Sequence, residues 1–144
     1  MTSPGALVVE RHVSAPPERV FTFFTDAGKW MEWQGTEAEI ELVPGGIWRV
    51  NVTGDGFASG EIVEVVDNER IVFTWGWEHG PPVPPGSSTV SIELVPDGDG
   101  TLIRLTHTGL PPDLIEIHRY GWDHFVPRLV AVAEGRDPGS GSPA

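Results

Sequence analysis

The sequence predicts an α+β domain in which a strongly curved antiparallel sheet of about seven strands wraps a long C-terminal helix. Three observations carry that expectation. Residues 37–108 alternate apolar and polar side chains between turn sequences, the pattern of a β-meander. One long stretch of helical period follows, and it alone is long enough to cover the apolar face of such a meander. Two short apolar stretches with helix-start chemistry lie between a first strand and the meander.

The elements follow in order. Ala6 to Val13 reads as the first strand. Ser14 before Pro16 and Pro17 gives an N-cap residue followed by first-turn prolines, opening a short helix with Val20, Phe21, Phe23 and Phe24. Thr25 or Asp26 caps a second short helix that carries Trp30, Met31 and Trp33 and stops at Gly35. Strands are expected over Glu37–Val43, Ile47–Thr53, Phe57–Val66, Ile71–Trp77, Val90–Val95 and Leu102–Thr108. Gly54-Asp55-Gly56, Asp67-Asn68-Glu69 and Asp97-Gly98-Asp99-Gly100 are the hairpin turns. Gly80-Pro81-Pro82-Val83-Pro84-Pro85-Gly86 cannot join a ladder and is a stiff loop. Asp113 and Glu116 form a capping-box-like start to the last helix. Ile115, His118, Trp122, Phe125, Leu129 and Val132 share one face of it, and Pro127 should kink it.

The 144 residues suit one domain, placed at residues 5–135, with residues 136–144 expected to be a disordered tail. The chain has no Cys, which removes disulfides, thiolate metal sites and Cys nucleophiles. No run of 18 apolar residues exists, and Met1 to Gly5 lacks the features of a signal peptide, so the expected location is the cytoplasm. With 21 acidic and 9 basic residues the formal net charge is −12, which disfavours nucleic acid and anionic membranes as partners. Six Trp is a high count for this length and suggests more than a plain aliphatic core.

Seven pieces in order carry a resemblance. They are Val20-Phe21 with Phe24-Thr25-Asp26, Trp33, Pro44 to Arg49, Gly60 to Val65, Glu69 to Trp75, Leu105 to Leu110, and His118-Arg119-Tyr120-Gly121-Trp122. Together they resemble the activator of Hsp90 ATPase homologue-like family, within the START-like, polyketide-cyclase-like (SRPBCC) helix-grip superfamily. The resemblance implies a helix-grip fold with a cavity between sheet and helix. Superfamily relatives bind lipids, sterols, polyketides or plant hormones, and a few catalyse cyclisation; the namesake of the family is a co-chaperone.

Strand alternation assigns faces. Trp48, Val50 and Val52 point inward, as do Ile71, Phe73, Trp75 and Trp77, then Val90, Ile92 and Leu94, then Ile103, Leu105 and His107. The fourth strand is ambiguous, because either register carries one Glu inward or near the rim. The candidate ligand-binding set is Trp33, Trp48, Phe73, Trp75, Trp77, His107, Ile115, His118, Trp122 and Phe125. These residues either fill the core or wall a pocket, and His107 and His118 are either hydrogen-bonded core residues or the polar groups that orient a ligand. No catalytic set, cofactor or metal site is expected. His118 and His124 are six apart on different helix faces, no carboxylate cluster exists, and Gly54-Asp55-Gly56 precedes no helix. Three functions remain open: holding a small hydrophobic or aromatic ligand, acting on a chaperone or other partner through the surface, or a cyclase- or hydrolase-type reaction in the same cavity. An edge strand could also pair with a second copy.

Overall fold

The computed structural model describes residues 6–52, 54 and 56–139. The elements are β1 (Leu7–Val13), α1 (Pro17–Thr25), α2 (Ala27–Trp30), β2 (Glu37–Ile40), β3 (Ile47–Asn51), β4 (Phe57–Val66), β5 (Arg70–Trp75), β6 (Ser88–Asp97), β7 (Gly100–Thr108) and α3 (Ile115–Ala133). All pairs are antiparallel, in the order β1-β7-β6-β5-β4-β3-β2. The curved sheet faces the helices, and the core lies between them. This is the sheet-around-helix arrangement expected from the element order, and the helix-grip fold that the resemblance implies.

The helices are tied down by cations and carbonyls at their ends. The Arg19 guanidinium donates to the Ala133 carbonyl at 2.7 Å, placing a positive charge at the C-terminus of α3, where the helix dipole favours it. Arg128 Nε donates to the Trp33 carbonyl at 3.0 Å and binds α3 to the turn after α2. At the far end Arg119 reaches the Val8 carbonyl of β1.

Aromatic rings fill one end of the core. Trp48 stacks on Phe73 with centroids 4.3 Å apart, and Trp30 meets Phe24, Trp33, Trp48 and Phe73. Trp33 Nε1 donates to the Phe23 carbonyl and Trp30 Nε1 to Gln34 Oε1, both at 3.0 Å, so these two buried indoles are satisfied.

Several local expectations need correction. Pro16, not Ser14, is the N-cap of α1; the Ser14 amide instead donates to the Glu134 carboxylate, tying β1 to the end of α3. Asp113 does not cap α3. Pro111 and Pro112 favour a 3-10 turn over Pro112–Leu114, so α3 starts at Ile115 without a side-chain cap, and Glu116 pairs with Arg119. α3 continues from Ile115 to Ala133 through Pro127, which sits on the exposed side. β5 ends at Trp75 rather than Trp77, which keeps a single bridge to Ala58. Beyond Trp75 the chain leaves β6 but stays paired to β4, with Gly76 exchanging both backbone hydrogen bonds with Ser59, and the proline loop packs against Gly76, where a Cβ would collide with the Pro84 carbonyl.

The ambiguity in β4 is resolved by a bulge. Ile62 opposes Phe73 but Glu64 opposes Val72, so Val63 is an extra residue. The slip keeps Ile62 and Val65 on the inner face and turns both Glu61 and Glu64 out to solvent. Of the predicted turns, Gly54-Asp55-Gly56 includes Asp55, which lies outside the described residues. The predicted tail is described as far as Gly139, where Arg128 donates to the Pro138 and Gly139 carbonyls; residues 140–144 lie outside the described residues.

Candidate functional site

Beside the packed aromatic cluster, between the end of β5 and the first half of α3, lies a cavity of about 390 Å³. One wall is Trp75 at the end of β5, Trp77 and His79 beyond it, and Pro82 and Val83 of the proline loop. The loop is held in place by the Trp77 amide, which donates to the Val83 carbonyl at 2.6 Å, and by the burial of Val83. The other wall is the first half of α3 and the turn before it: Leu114, Ile117, His118, Tyr120, Gly121, Trp122 and Phe125. Gln34 and Val52 complete the lining. Ile117 and Tyr120 are exposed and stand at the mouth. Gly121 leaves part of the helix wall bare, since a Cβ built there meets nothing within 4 Å.

Two histidines fix two of the tryptophans. Trp77 Nε1 donates to His118 Nε2 at 3.1 Å, and His118 Nδ1 lies 2.8 Å from the Leu114 carbonyl. A carbonyl only accepts and an indole only donates, so His118 carries its proton on Nδ1 in this arrangement. Trp122 Nε1 donates to His107 Nδ1 at 3.1 Å. His107 Nε2 then donates to Ser88 Oγ at 2.9 Å, and the Ser88 hydroxyl donates to the Trp75 carbonyl at 2.8 Å. The chain from indole to imidazole to hydroxyl to carbonyl is complete, and every ring nitrogen of both histidines is used. Burial is the main cause that lowers the pKa of His107, with the neighbouring His118 adding to it, and takes it down to about 3. His107 is therefore neutral at pH 7.

Of the residues singled out from sequence, the structure brings Trp75, Trp77, His118, Trp122 and Phe125 together on the cavity wall. Trp33, Trp48 and Phe73 sit in the packed aromatic cluster, each fully buried. His107 lies behind Trp75 and Trp122, with its ring centroid 5.5 and 6.2 Å from theirs. Ile115 is partly buried against the core and is not part of the lining. Trp75 links the two regions, in contact with Trp48 on one side and Trp77 and Trp122 on the other.

Sequence reasoning missed Gln34, Val52, His79, Leu114, Ile117, Tyr120 and Gly121. Ile117, Tyr120 and Gly121 lie off the predicted apolar stripe of α3, so their place on the cavity wall could not be read from it. Gln34 left one signal: a polar side chain directly after Trp33, in a segment otherwise destined for the core. Among the described residues no three His, Asp or Glu gather as a metal site, and no helix is long and apolar enough to cross a membrane.

A family model described as activator of Hsp90 ATPase homolog 1-like protein matches residues 14–134. An AHSA1-like protein from Rhizobium etli is 48% identical, with 97% of this chain and 89% of that chain covered at a TM-score of 0.73. A Mesorhizobium loti protein is 26% identical, with 92% and 98% covered at a TM-score of 0.81. An HSP90 activator from Plasmodium falciparum, 24% identical with 91% and 96% covered, shares the fold at a TM-score of 0.75. No curated protein matches.

Proposed function

The chain belongs to the activator of Hsp90 ATPase homolog 1-like family, and we propose that it holds a small hydrophobic or aromatic ligand in the cavity between sheet and α3. The observation that carries this reading is the cavity itself. Its volume of about 390 Å³ lies in the range of small-molecule sites, and its walls are aromatic with few polar groups. The construction of those walls points the same way. Two indole N–H groups that would otherwise be buried donors are satisfied by His118 and His107, so Trp77 and Trp122 present ring faces rather than polar edges. A simple core would close the space; here the proline loop, anchored by the buried Val83, and a bare glycine on α3 keep it open.

The histidines favour holding over reacting. Both nitrogens of each ring are engaged by protein groups, and a general base needs a free nitrogen within reach of the proton it removes. The second reading, action on a chaperone through the surface, draws support from the name of the family and from the fold shared with the Plasmodium falciparum HSP90 activator.

A panel of flat aromatics, sterols and fatty acids, titrated while Trp emission and melting temperature are recorded, separates the two. A ligand at about 100 times its Kd adds roughly 2.7 kcal/mol of stability. It should also change the emission of Trp75, Trp77 and Trp122, which share the cavity wall. Silence of both signals across all three classes would remove the cavity reading and leave the surface reading in its place.

A further inference from the structure

We infer that the cavity selects a flat apolar molecule bearing a neutral carbonyl oxygen, and that the carboxamide N–H₂ of Gln34 is the donor that recognises it. The inference deepens the cavity reading above and rests on it.

Gln34 is 2% exposed and lines the cavity. Its orientation is fixed by chemistry. Trp30 Nε1 lies 3.0 Å from the side-chain amide, and an indole N–H can only donate, so the amide oxygen must face it. The N–H₂ end is left over. It has no acceptor among the described residues and is not among the sealed polar atoms, so it is open to the cavity that Gln34 lines. Trp30 is itself fully buried and wedged among Phe24, Trp33 and Phe73, so the carboxamide is anchored through a rigid ring.

The other polar groups of the lining sharpen the choice. His118 has both ring nitrogens committed to Trp77 and Leu114, and so offers no acceptor. Trp75 is 2% exposed, and its Nε1–H is sealed in the wall rather than open to the cavity. His79 and Tyr120 also line the cavity but are exposed at its mouth, so the donor that the buried wall offers is the Gln34 N–H₂. A ligand that supplied another donor would leave Gln34 unsatisfied, whereas an acceptor pairs with it. The acceptor is neutral rather than a carboxylate because the whole chain carries a net charge of −12, which opposes the entry of an anion.

A matched pair of probes isolates the donor. Fluorenone and fluorene share one flat skeleton and differ in a carbonyl oxygen against a methylene. Calorimetric titration of the full chain should show fluorenone binding on the order of tenfold tighter, the effect of one well-made buried hydrogen bond. Gln34→Met keeps length and apolar volume and removes the donor. Gln34→Glu keeps an acceptor for Trp30 and replaces the donor with a second acceptor. In either variant that retains the parent far-ultraviolet spectrum, fluorene should bind as before and the preference for fluorenone should fall to about twofold or less. If the parent binds both probes equally, the inference fails while the cavity reading stands. A preference that survives intact in a folded variant would assign recognition to another group and overturn the role of Gln34. If neither probe binds, and the wider panel above is silent too, the cavity reading fails and this inference with it.

Discussion

His107 is the residue at which sequence and environment conflict most. Imidazole ionises near neutral pH, yet its ring lies wholly buried between Trp75 and Trp122 with both nitrogens spoken for. Burial, then the neighbouring His118, lowers its pKa from 6.5 to about 3. The direction of the consequence follows from linkage. Above pH 6.5 the ring is neutral folded and unfolded, and His107 adds no pH dependence. Below 6.5 the unfolded chain takes up a proton that the folded chain refuses, so stability is lost as pH falls towards about 3, at up to about 1.4 kcal/mol per pH unit. Urea unfolding should show that slope between pH 6.5 and pH 5, before the carboxylates begin to protonate. Glu78 and Glu134, held below the usual carboxylate range by Arg49 and by the Ser14 amide respectively, contribute only at more acid pH. In His107→Gln the slope over that window should flatten; an unchanged slope would place its origin in another group. That His107 faces inward was legible from the alternation of β7. Its partners were not: Ser88 lies at the start of β6, two residues before the predicted strand, and Trp122 comes from α3, whose approach to the sheet the pattern does not fix.

At the scale of elements, the most consequential feature of α3 is a residue without a side chain. Gly121 sits in mid-helix, where it costs about 1 kcal/mol relative to Ala through backbone entropy. Its backbone is not in the left-handed region, and no atom lies within 4 Å of a Cβ added there. Nothing in the packing of the protein requires glycine at this point, whereas an open cavity wall does. Gly121→Ala should therefore stabilise the chain by about 0.5–1 kcal/mol and leave a large part of the cavity free. Gly121→Leu should keep parent stability or better and weaken binding of any cavity ligand by tenfold or more, because the new side chain takes its place. Destabilisation by Gly121→Ala would mean that the helix needs the close approach of another element there. The helix itself, its apolar stripe and its partners on the sheet could be read from steps of three and four. The cavity beside it could not. The cavity wall opposite α3 depends on Gly76, whose lack of a side chain admits the Pro84 carbonyl of the proline loop, and β4 changes its inner register at the Val63 bulge. Both are set by the packing of neighbouring segments, which a pattern of apolar and polar residues does not encode.

Over the whole molecule, charge is arranged so that the few cations are consumed. Arg49 meets Glu78 through two nitrogens at 2.7 and 2.9 Å, Arg70 lies between Glu64 and Glu93, Arg104 reaches Glu10, Arg11 reaches Asp123 and Arg136 reaches Glu134. With 21 acidic and 9 basic residues, such pairing still leaves a large surplus of carboxylates. Part of it lines the edge strand β2 and the residue after it, where Glu37, Glu39 and Glu41 are all exposed. A second copy adding to this edge would bring like charges together, which is how natural sheets blunt an open edge. Two opposing salt effects follow. Screening weakens the ion pairs, but exposed pairs contribute little. Screening also relieves repulsion among the surplus carboxylates, and those are spread over the whole surface. The second effect should win. Raising sodium chloride from about 20 mM to about 200 mM, a range over which the Debye length falls to roughly a third, should raise the melting temperature at pH 7 by a few degrees. Lowering the pH to about 6 removes little of the surplus, so the same rise should persist there. A melting temperature that falls with salt would show that the arginine pairs outweigh the repulsion, and that the acidic surface is better knitted than its net charge suggests.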